Sequence, residues 1–284
     1  MDLKNILILT ELDALSAKVT GFAINLAVQM SIPEIVLLNV IIPANTPAFS
    51  ASGDVFTSEG NMADHFNLAL LEKHQRLVNE EAARLTNEMV QVKPIVRFNN
   101  SKTDLNGYME EFQAGLLVCG SRDENTFLEK LFGSDREKII RKVDYPVIFL
   151  KEDTDTDEIN NILVAIDIDE EDQSGLKEIV GFAHALKARM QLLHVLTDEA
   201  NSSEYAIERL RTLAIKNMFG HYDINVVNND SLENGIRNFV RKNNPEMIAV
   251  LSQGKGKIKK LIFGSNTNNI IKESDKPVFV SKLN

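Results

Sequence analysis

Short runs of consecutive apolar residues alternate along this chain with stretches whose apolar residues recur at helical spacing. The runs have strand length, and continuous apolar runs are typical of strands buried on both faces of a parallel sheet. Between the first two runs, residues 19–30 place their apolar side chains on one helical face and end before Pro33. Strands of the first half are predicted at residues 6–9, 35–40, 94–98, 116–119 and 147–150.

Three further helices, one of which opens at Gly133, and one long loop complete the first half. Residues 43–61 are rich in Pro, Gly, Ser, Thr and Asn, which predicts a loop. A short helix is expected over residues 103–112 and a long one over residues 65–89. The core contacts expected on the long helix are Leu68, Leu71, Leu85 and Met89.

The second half of the chain repeats this order of elements. Ile162 follows Ile6 by 156 positions, and Gly264 follows Gly133 by 131. The offset shrinks mainly where the first half has its long loop and longer helix, so the register supports an internal repeat. Strands of the second half are expected at residues 162–166, 191–195, 224–227, 247–251 and 278–280.

Strands that alternate with helices predict parallel strands joined by right-handed crossovers. The fold class is therefore α/β, with two tandem doubly wound domains, each a roughly five-stranded parallel sheet flanked by helices. We place the first repeat at residues 1–151 and the second at residues 159–284. Residues 152–158 contain no apolar side chain and are expected to form a solvated acidic linker.

The last strand of each repeat is apolar on both faces and would otherwise be a sheet edge. These strands are residues 147–150 and 278–280. Exposed apolar edges invite pairing with another strand. We therefore expect the two repeats to pack through these strands as an intrachain pseudo-dimer.

Charge and cysteine content restrict the partners and the compartment. A net charge of -10 argues against a nucleic-acid partner, because phosphate-backbone readers need clustered Lys and Arg. The single cysteine, Cys119, cannot form an internal disulfide, which favours a reducing compartment. The first strand begins without a secretory leader, and the longest apolar run is far shorter than the ~20 residues of a membrane span. We predict a soluble, cytoplasmic protein with no membrane partner.

A loop with a fixed spacing follows the fourth strand of each repeat. Gly254 and the pair Gly264-Ser265 are separated by nine residues. Asp123 and Gly133-Ser134 are separated by the same number in the first repeat. Glycines at such loops let backbone N–H groups approach a phosphate closely, and a helix opening at Gly264 would favour an anion.

In its element order and its repeated loop spacing, nearly the whole chain resembles the universal stress protein family in its tandem-repeat form. Nucleotide-binding members carry Gly, two residues, Gly, nine residues and Gly-Ser or Gly-Thr, with an Asp after the first strand. In the second repeat Asp167 matches that Asp, whereas Leu251 replaces the first glycine. In the first repeat Gly120 matches, but Asp123 replaces the second glycine and Glu11 replaces the Asp.

The resemblance implies an adenine nucleotide alpha hydrolase-like fold and a cytoplasmic stress-response protein. It implies that ATP, accompanied by Mg²⁺, binds in the C-terminal repeat and acts as a conformational signal. It also implies dimerisation through the last strands, which the tandem chain satisfies internally, and a homodimer of the whole chain is a further assembly to test. The nucleotide contacts that the resemblance implies are Asp167, Val195, Gly254, Gly264, Ser265 and Asn266.

Several of these residues also have a purely structural interpretation. Gly264-Ser265 fits a turn with an N-cap serine, and Asp167 fits a helix cap. The lysines near Gly254 fit a solvated face, and His194 is interpreted as a structural histidine. No nucleophile–base set or metal-ligand spacing is present, so no enzyme is predicted. The alternatives to an ATP-binding signalling module are a nucleotide-free interaction scaffold and a weak ATP hydrolase.

Overall fold

The computed structural model describes ten strands and six helices. The strands pair with one another in a sheet, and the helices pack on its two faces. The strands are β1 Asn5–Leu9, β2 Glu34–Ile41, β3 Gln91–Phe98, β4 Ala114–Gly120, β5 Val147–Leu150, β6 Asn161–Ala165, β7 Arg189–Leu196, β8 Tyr222–Asn228, β9 Met247–Ser252 and β10 Val278–Lys282. The helices are α1 Ala14–Met30, α2 Gly60–Leu85, α3 Leu105–Glu111, α4 Leu176–Leu186, α5 Ser203–Lys216 and α6 Leu232–Asn243. The described residues are 4–43, 60–99, 104–121, 143–154, 158–169, 174–197, 202–252, 269–270 and 273–282.

All ten strands form a single sheet in the order β3-β2-β1-β4-β5-β10-β9-β6-β7-β8. Every neighbouring pair is parallel except β5 and β10, which are antiparallel, with Phe149 opposite Val278 and Val147 opposite Val280. The two five-stranded halves therefore have the same topology and meet at their last strands. The predicted fold class and the predicted pairing of the last strands are confirmed.

The strands are buried on both faces because helices cover both sides of the sheet. One apolar layer lies under α1, α2, α4 and α5 and runs through both halves. The opposite layer lies under α3 and α6. Within the described residues, no helix is long and apolar enough to cross a membrane.

Polar contacts join the two repeats beside the antiparallel seam. The Gln29 side chain of α1 donates to the Ile159 carbonyl at 2.7 Å and accepts from the Ile159 N–H at 3.1 Å. On the other side, Lys282 of β10 donates to the Val143 carbonyl at 2.9 Å and pairs with Asp144 at 2.8 Å. The two repeats are therefore joined by the pairing of β5 with β10 and by polar side-chain contacts on either side of this pair.

The acidic segment between the repeats differs in part from the prediction. Thr154 was expected to be solvated, but it is only 1% exposed. Its hydroxyl accepts the Lys151 N–H at 3.0 Å, and its own N–H donates to the Lys151 carbonyl at 3.3 Å. A tight turn buries this threonine, although the segment has no apolar residue. The exact limits of the two domains stay a prediction.

The predicted end of the long helix α2 is wrong, and so are two of its four predicted core contacts, Leu68 and Met89. It ends at Leu85, so Met89 lies beyond it and is 64% exposed. Leu68 is 53% exposed, because it lies about 80° around the helix from Val78 at 3.6 residues per turn. Leu71 and Leu85 do pack against the core, where the most buried contacts of α2 are Val78 and Ala82.

Candidate functional site

The order of the strands defines a crevice in the second repeat. Strand β6 lies between β9 and β7, so the chain leaves β6 toward β7 on one side and reaches β9 on the other. Open α/β sheets bind their ligands outside the carboxyl ends of the strands at such a switch point. The crevice of the second repeat is therefore bounded by the carboxyl ends of β6, β7 and β9.

Two of the predicted nucleotide contacts, Asp167 and Val195, lie together at this edge. The Ile166 N–H donates to the Leu193 carbonyl at 2.9 Å, which carries the pairing of β6 with β7 one residue past the end of β6. Asp167 follows directly, and its carboxylate accepts the Asp169 N–H at 3.0 Å in a tight turn. Asp167 does not cap α4, because α4 has Gly175 at its N-cap position.

Val195 offers its backbone rather than its side chain to the crevice. The side chain is 5% exposed and packs against α6, since a Cβ added at Gly235 would lie 2.5 Å from Val195 Cγ1. Backbone groups alternate in direction along a strand, so Val195 points its N–H and C=O toward the β6 side, as Leu193 does. Within the described residues neither group has a hydrogen-bond partner, because β6 has already ended.

His194 has the structural role expected for it. Its Nδ1 lies 3.0 Å from the Ile166 carbonyl, and the side chain is buried. In the first repeat Asn39 occupies the corresponding position and donates to the Thr10 carbonyl at 2.7 Å. Both side chains therefore fix the backbone that follows the first strand of their repeat, and both bonds use the carbonyl that the next strand would otherwise satisfy.

A side chain that the sequence pattern did not single out, Ser252, completes the edge. It ends β9, is 2% exposed, and its hydroxyl has no hydrogen-bond partner in the described part of the chain. Ser121, 131 positions earlier, directly follows the corresponding strand of the first repeat, β4, and its buried hydroxyl likewise has no partner among the described residues. Buried polar groups without a partner are rare in folded proteins, and each calls for an explanation such as a bound water, an ion or a functional role. The only sequence signal is their place directly after the first position of the glycine pattern.

Arg209 of α5 supports the turn that holds Asp167. Its Nη2 donates to the Ile168 carbonyl at 3.1 Å, while Ile168 is itself fully buried. Nothing in the sequence pattern marks this residue, because α5 and the turn are some 40 positions apart. The guanidinium brings positive charge to the edge where Asp167 lies.

Leu251, which replaces the first glycine of the family pattern, fills a space that is occupied in both repeats. Its side chain packs toward the start of α4, where a Cβ on Gly175 would meet Leu251 Cδ2 at 2.8 Å. In the first repeat the sizes are exchanged: a Cβ on Gly120 would meet Leu15 Cδ2 at 2.7 Å. In the first repeat, Gly120 of β4 lies against Leu15 of α1. In the second repeat, Leu251 of β9 lies against Gly175, just before α4.

The start of α4 is also held by β10. The Ser281 hydroxyl lies 3.1 Å from the Gly175 carbonyl and 2.6 Å from the Glu178 carboxyl. Burial raises the pKa of Glu178, and the hydrogen bond with Ser281 lowers it to a smaller extent. The effect of burial is the larger of the two, so the pKa of Glu178 lies above its usual value.

The glycine-bearing loops lie outside the described residues. This applies to Gly254, Gly264, Ser265 and Asn266 and to the neighbouring lysines of the second repeat. It also applies to Asp123 and to Gly133-Ser134 of the first repeat. In the described ranges, no group of three His, Cys, Asp or Glu side chains is placed to hold a metal ion.

Comparison with known families gives one match. The model of the universal stress protein family matches residues 2–151 and 223–282, which is well over half of the chain. No protein with a curated description matches the chain.

Solved structures share the whole architecture. A universal stress protein from Archaeoglobus fulgidus DSM 4304 matches with a TM-score of 0.66 at 18% identity, covering 98% of this chain and 96% of its own. A putative universal stress protein from Pseudomonas aeruginosa UCBPP-PA14 matches with a TM-score of 0.61 at 14% identity, covering 99% and 94%. At these identities the likeness shows the fold alone, and it extends over both repeats.

Proposed function

The chain belongs to the universal stress protein family, and from that premise we propose that its C-terminal repeat, residues 159–284, binds ATP. The site lies at the carboxyl ends of β6, β7 and β9. The protein is then a cytoplasmic stress-response module, and the bound nucleotide serves as its conformational signal.

The observation that carries this proposal is the unpaired backbone of Val195 beside Asp167. An N–H and a C=O on the same side of one residue form a donor–acceptor pair. Adenine presents the complement on its Watson–Crick edge, an acceptor nitrogen next to an amino donor. The Asp167 carboxylate, held by the Asp169 N–H and the turn that Arg209 supports, is suited to accept from a ribose hydroxyl. Guanine carries a carbonyl where adenine has its amino group, so this pair favours adenine.

The phosphates would be bound on the other side of the crevice, after β9. Ser252 supplies an unpartnered hydroxyl there, and Gly254 and Gly264-Ser265 follow in the sequence. Backbone N–H groups of such a loop and the start of a helix favour a polyphosphate. Mg²⁺ usually binds through substrate phosphates with few protein ligands. This fits the described part of the edge, where the carboxylates near the crevice are those of the turn that contains Asp167.

Replacing Gly264 with valine tests the site. The added side chain would hold phosphate away from the loop, so we expect ATP to bind at least about a hundredfold more weakly while the fold is kept. Titration calorimetry measures the affinity, and circular dichroism checks the fold. Gly133→Val, at the corresponding position of the first repeat, is the matched control and should leave the affinity unchanged. Equal affinity in wild-type protein and a folded Gly264→Val variant would refute the site.

Nucleotide released from the purified protein separates ATP binding from its alternatives. Denaturation followed by chromatography should yield an adenine nucleotide, at no more than one equivalent per chain. A nucleotide-free protein that also fails to bind added ATP would favour the interaction scaffold. Steady release of ADP from added ATP, abolished by Gly264→Val, would favour the weak hydrolase.

The first repeat is expected not to bind ATP. Asp123 stands where the family has a glycine, and a carboxylate about 5 Å from one phosphate charge is repelled by about 3 kcal/mol at an effective dielectric near 20. Glu11, in the place of Asp167, is exposed. Calorimetry should therefore give one site per chain, and Asp123→Gly should be the change that introduces a second. Two equivalent sites in the wild-type chain would contradict this expectation.

A further inference from the structure

The sheet ends in two edge strands, β3 and β8, whose outward backbone groups differ in a way that concerns assembly. In β8 the direction of the backbone is fixed at both ends. The Met190 N–H donates to the His221 carbonyl, and the Asn229 N–H donates to the Leu196 carbonyl. Odd-numbered residues of β8 therefore face β7, and hydrogen bonding alternates along a strand. The residues that face outward are Tyr222, Ile224, Val226 and Asn228.

Three of the outward backbone groups of β3 are blocked or missing. The Gln91 N–H donates to the Pro33 carbonyl just before β2, and the Asn99 N–H donates to the Ile41 carbonyl. The even-numbered residues of β3 therefore face outward. The Val92 N–H donates to the Thr86 hydroxyl at 3.1 Å, and the Val96 carbonyl accepts from the Arg97 guanidinium at 3.3 Å. Between them stands Pro94, which has no N–H. Native sheets use such devices to prevent an edge from pairing with another strand.

Strand β8 has none of these devices in the part of the chain that the structure describes. Among the described residues, no side chain bonds the backbone of its four outward residues, and the strand has no proline. The contrast is sharpest at Ile224, which takes the place of Pro94. Pro94 pairs with Leu37 and Ile224 pairs with Leu192, and these two leucines hold the same position in the two repeats. One edge is closed at this point, and the other offers a free N–H.

We propose that β8 is a dimerisation edge at which a second copy of this chain adds its own β8 in antiparallel orientation. The seven-residue strand is self-complementary about its central residue, Asn225. A two-fold axis there places Ile224 opposite Val226 of the partner subunit, and Tyr222 opposite Asn228 of the partner subunit. All four outward residues then form hydrogen-bonded pairs. A one-residue slip would pair outward with inward residues and lose these bonds.

The side chains fit this register as well. Asp223 would face Val227 of the partner subunit, so no acidic side chain meets another across the axis. Asp223 is already paired with Arg189 of β7 at 2.6 Å, and the hydrogen bonds from Arg189 lower the pKa of Asp223. The pairing therefore brings no uncompensated carboxylate into the interface, although the chain as a whole carries a net charge of -10.

The seam between the two repeats is an antiparallel strand pairing of the same kind. There β5 and β10 pair antiparallel, and α1 of one repeat contacts α4 of the other across the seam. At the β8 edge the covering helix is α5, which packs on β8. The apolar side chains of Ile215, in the last turn of α5, and Met218, just beyond the helix, are 70% and 78% exposed. A second α5 beside the first would give these side chains an apolar neighbour.

The test is the Ile224→Pro variant, which removes an outward N–H without touching a bond to β7. The protein itself carries a proline at the corresponding position of β3, so the fold is expected to accept it. Sedimentation equilibrium of the wild-type chain should show a dimer of twice 31.8 kDa. The dissociation constant of the variant dimer should be at least about tenfold higher, because the two-fold symmetry removes the same hydrogen bond at two places. Ile224→Ala, which keeps the N–H, is the matched control and should dimerise more strongly than Ile224→Pro.

Hydrogen exchange identifies the surface directly. The amides of Ile224 and Val226 should become protected as the protein concentration rises through the dimer range, while the amide of Phe98, on the outward side of β3, should not change. A wild-type chain that stays monomeric at about 100 μM, where a dimer of micromolar Kd would be formed, overturns the proposal. A dimer that Ile224→Pro leaves unchanged, in a protein with wild-type circular dichroism, overturns it as well.

Discussion

Replacing Phe279 with alanine is expected to lower the free energy of unfolding by about 3–5 kcal/mol, the range measured for large aromatic truncations in protein cores. Phe279 lies on β10, is fully buried, and packs against Phe182 of α4 with ring centroids 4.5 Å apart. Its strand position is opposite Ile148 of β5 across the seam. The cavity would therefore open where the two repeats join, and neither side could collapse into it without breaking the strand pairing.

Denaturant unfolding followed by circular dichroism measures this loss. Phe66→Ala is the matched control, because Phe66 lies on α2 and is 57% exposed. It should change the stability by less than about 0.5 kcal/mol, as surface substitutions usually do. A loss below about 1 kcal/mol for Phe279→Ala would mean that the seam does not contribute to the stability of the folded chain.

Truncating Leu251 to alanine should lower the free energy of unfolding by about 2–5 kcal/mol and leave the affinity for ATP unchanged. The side chain is 5% exposed and fills the space before α4 that Leu15 fills in the first repeat. Its loss creates a cavity beside Gly175, which has no side chain to occupy it. Because the side chain of Leu251 is directed at Gly175 before α4, we expect the cavity to open there and the affinity for ATP to stay the same.

Two measurements separate packing from obstruction at Leu251. Leu68→Ala, which truncates a leucine that is 53% exposed, is the stability control and should be nearly neutral. Calorimetric titration with ATP then reports on the crevice. Wild-type stability of Leu251→Ala would show that the side chain does not pack the core. Much tighter binding of ATP to the variant would show that the side chain obstructs the ligand.

The fold class was accessible from the sequence because its signals are local. A strand buried on both faces is a run of apolar residues, and every strand of the second half lies within two residues of its predicted position. The repeat register added long-range information, since it identified the same element order twice. The apolar character of the last strand of each repeat then pointed to the pairing of β5 with β10. The end of α2 was predicted less well, because an apolar residue such as Met89 does not reveal whether the helix continues to it.

The candidate site divides in the same way. Asp167 and Val195 were predicted from the resemblance, and their meeting at one edge follows from the parallel order of β6 and β7. Ser252 and Arg209 were not predicted. A serine that ends a strand is ordinary in a sequence, and only the absence of a hydrogen-bond partner around it makes it notable. The contact of Arg209 with Ile168 depends on how α5 packs over the end of β6.

The sequence by itself determined the two repeats, the order of their elements along the chain and the edge at which a ligand is expected, because apolar periodicity and spacing are properties of neighbouring residues. The tertiary structure alone decided how space and hydrogen bonds are shared between distant residues. Leu15 fills the place beside Gly120, 105 positions away, and Leu251 fills its counterpart beside Gly175. Pro94 closes one end of the sheet, while Ile224 leaves the other open. These differences arise because a side chain takes its role from the space and the partners around it, which the chain supplies only when it has folded.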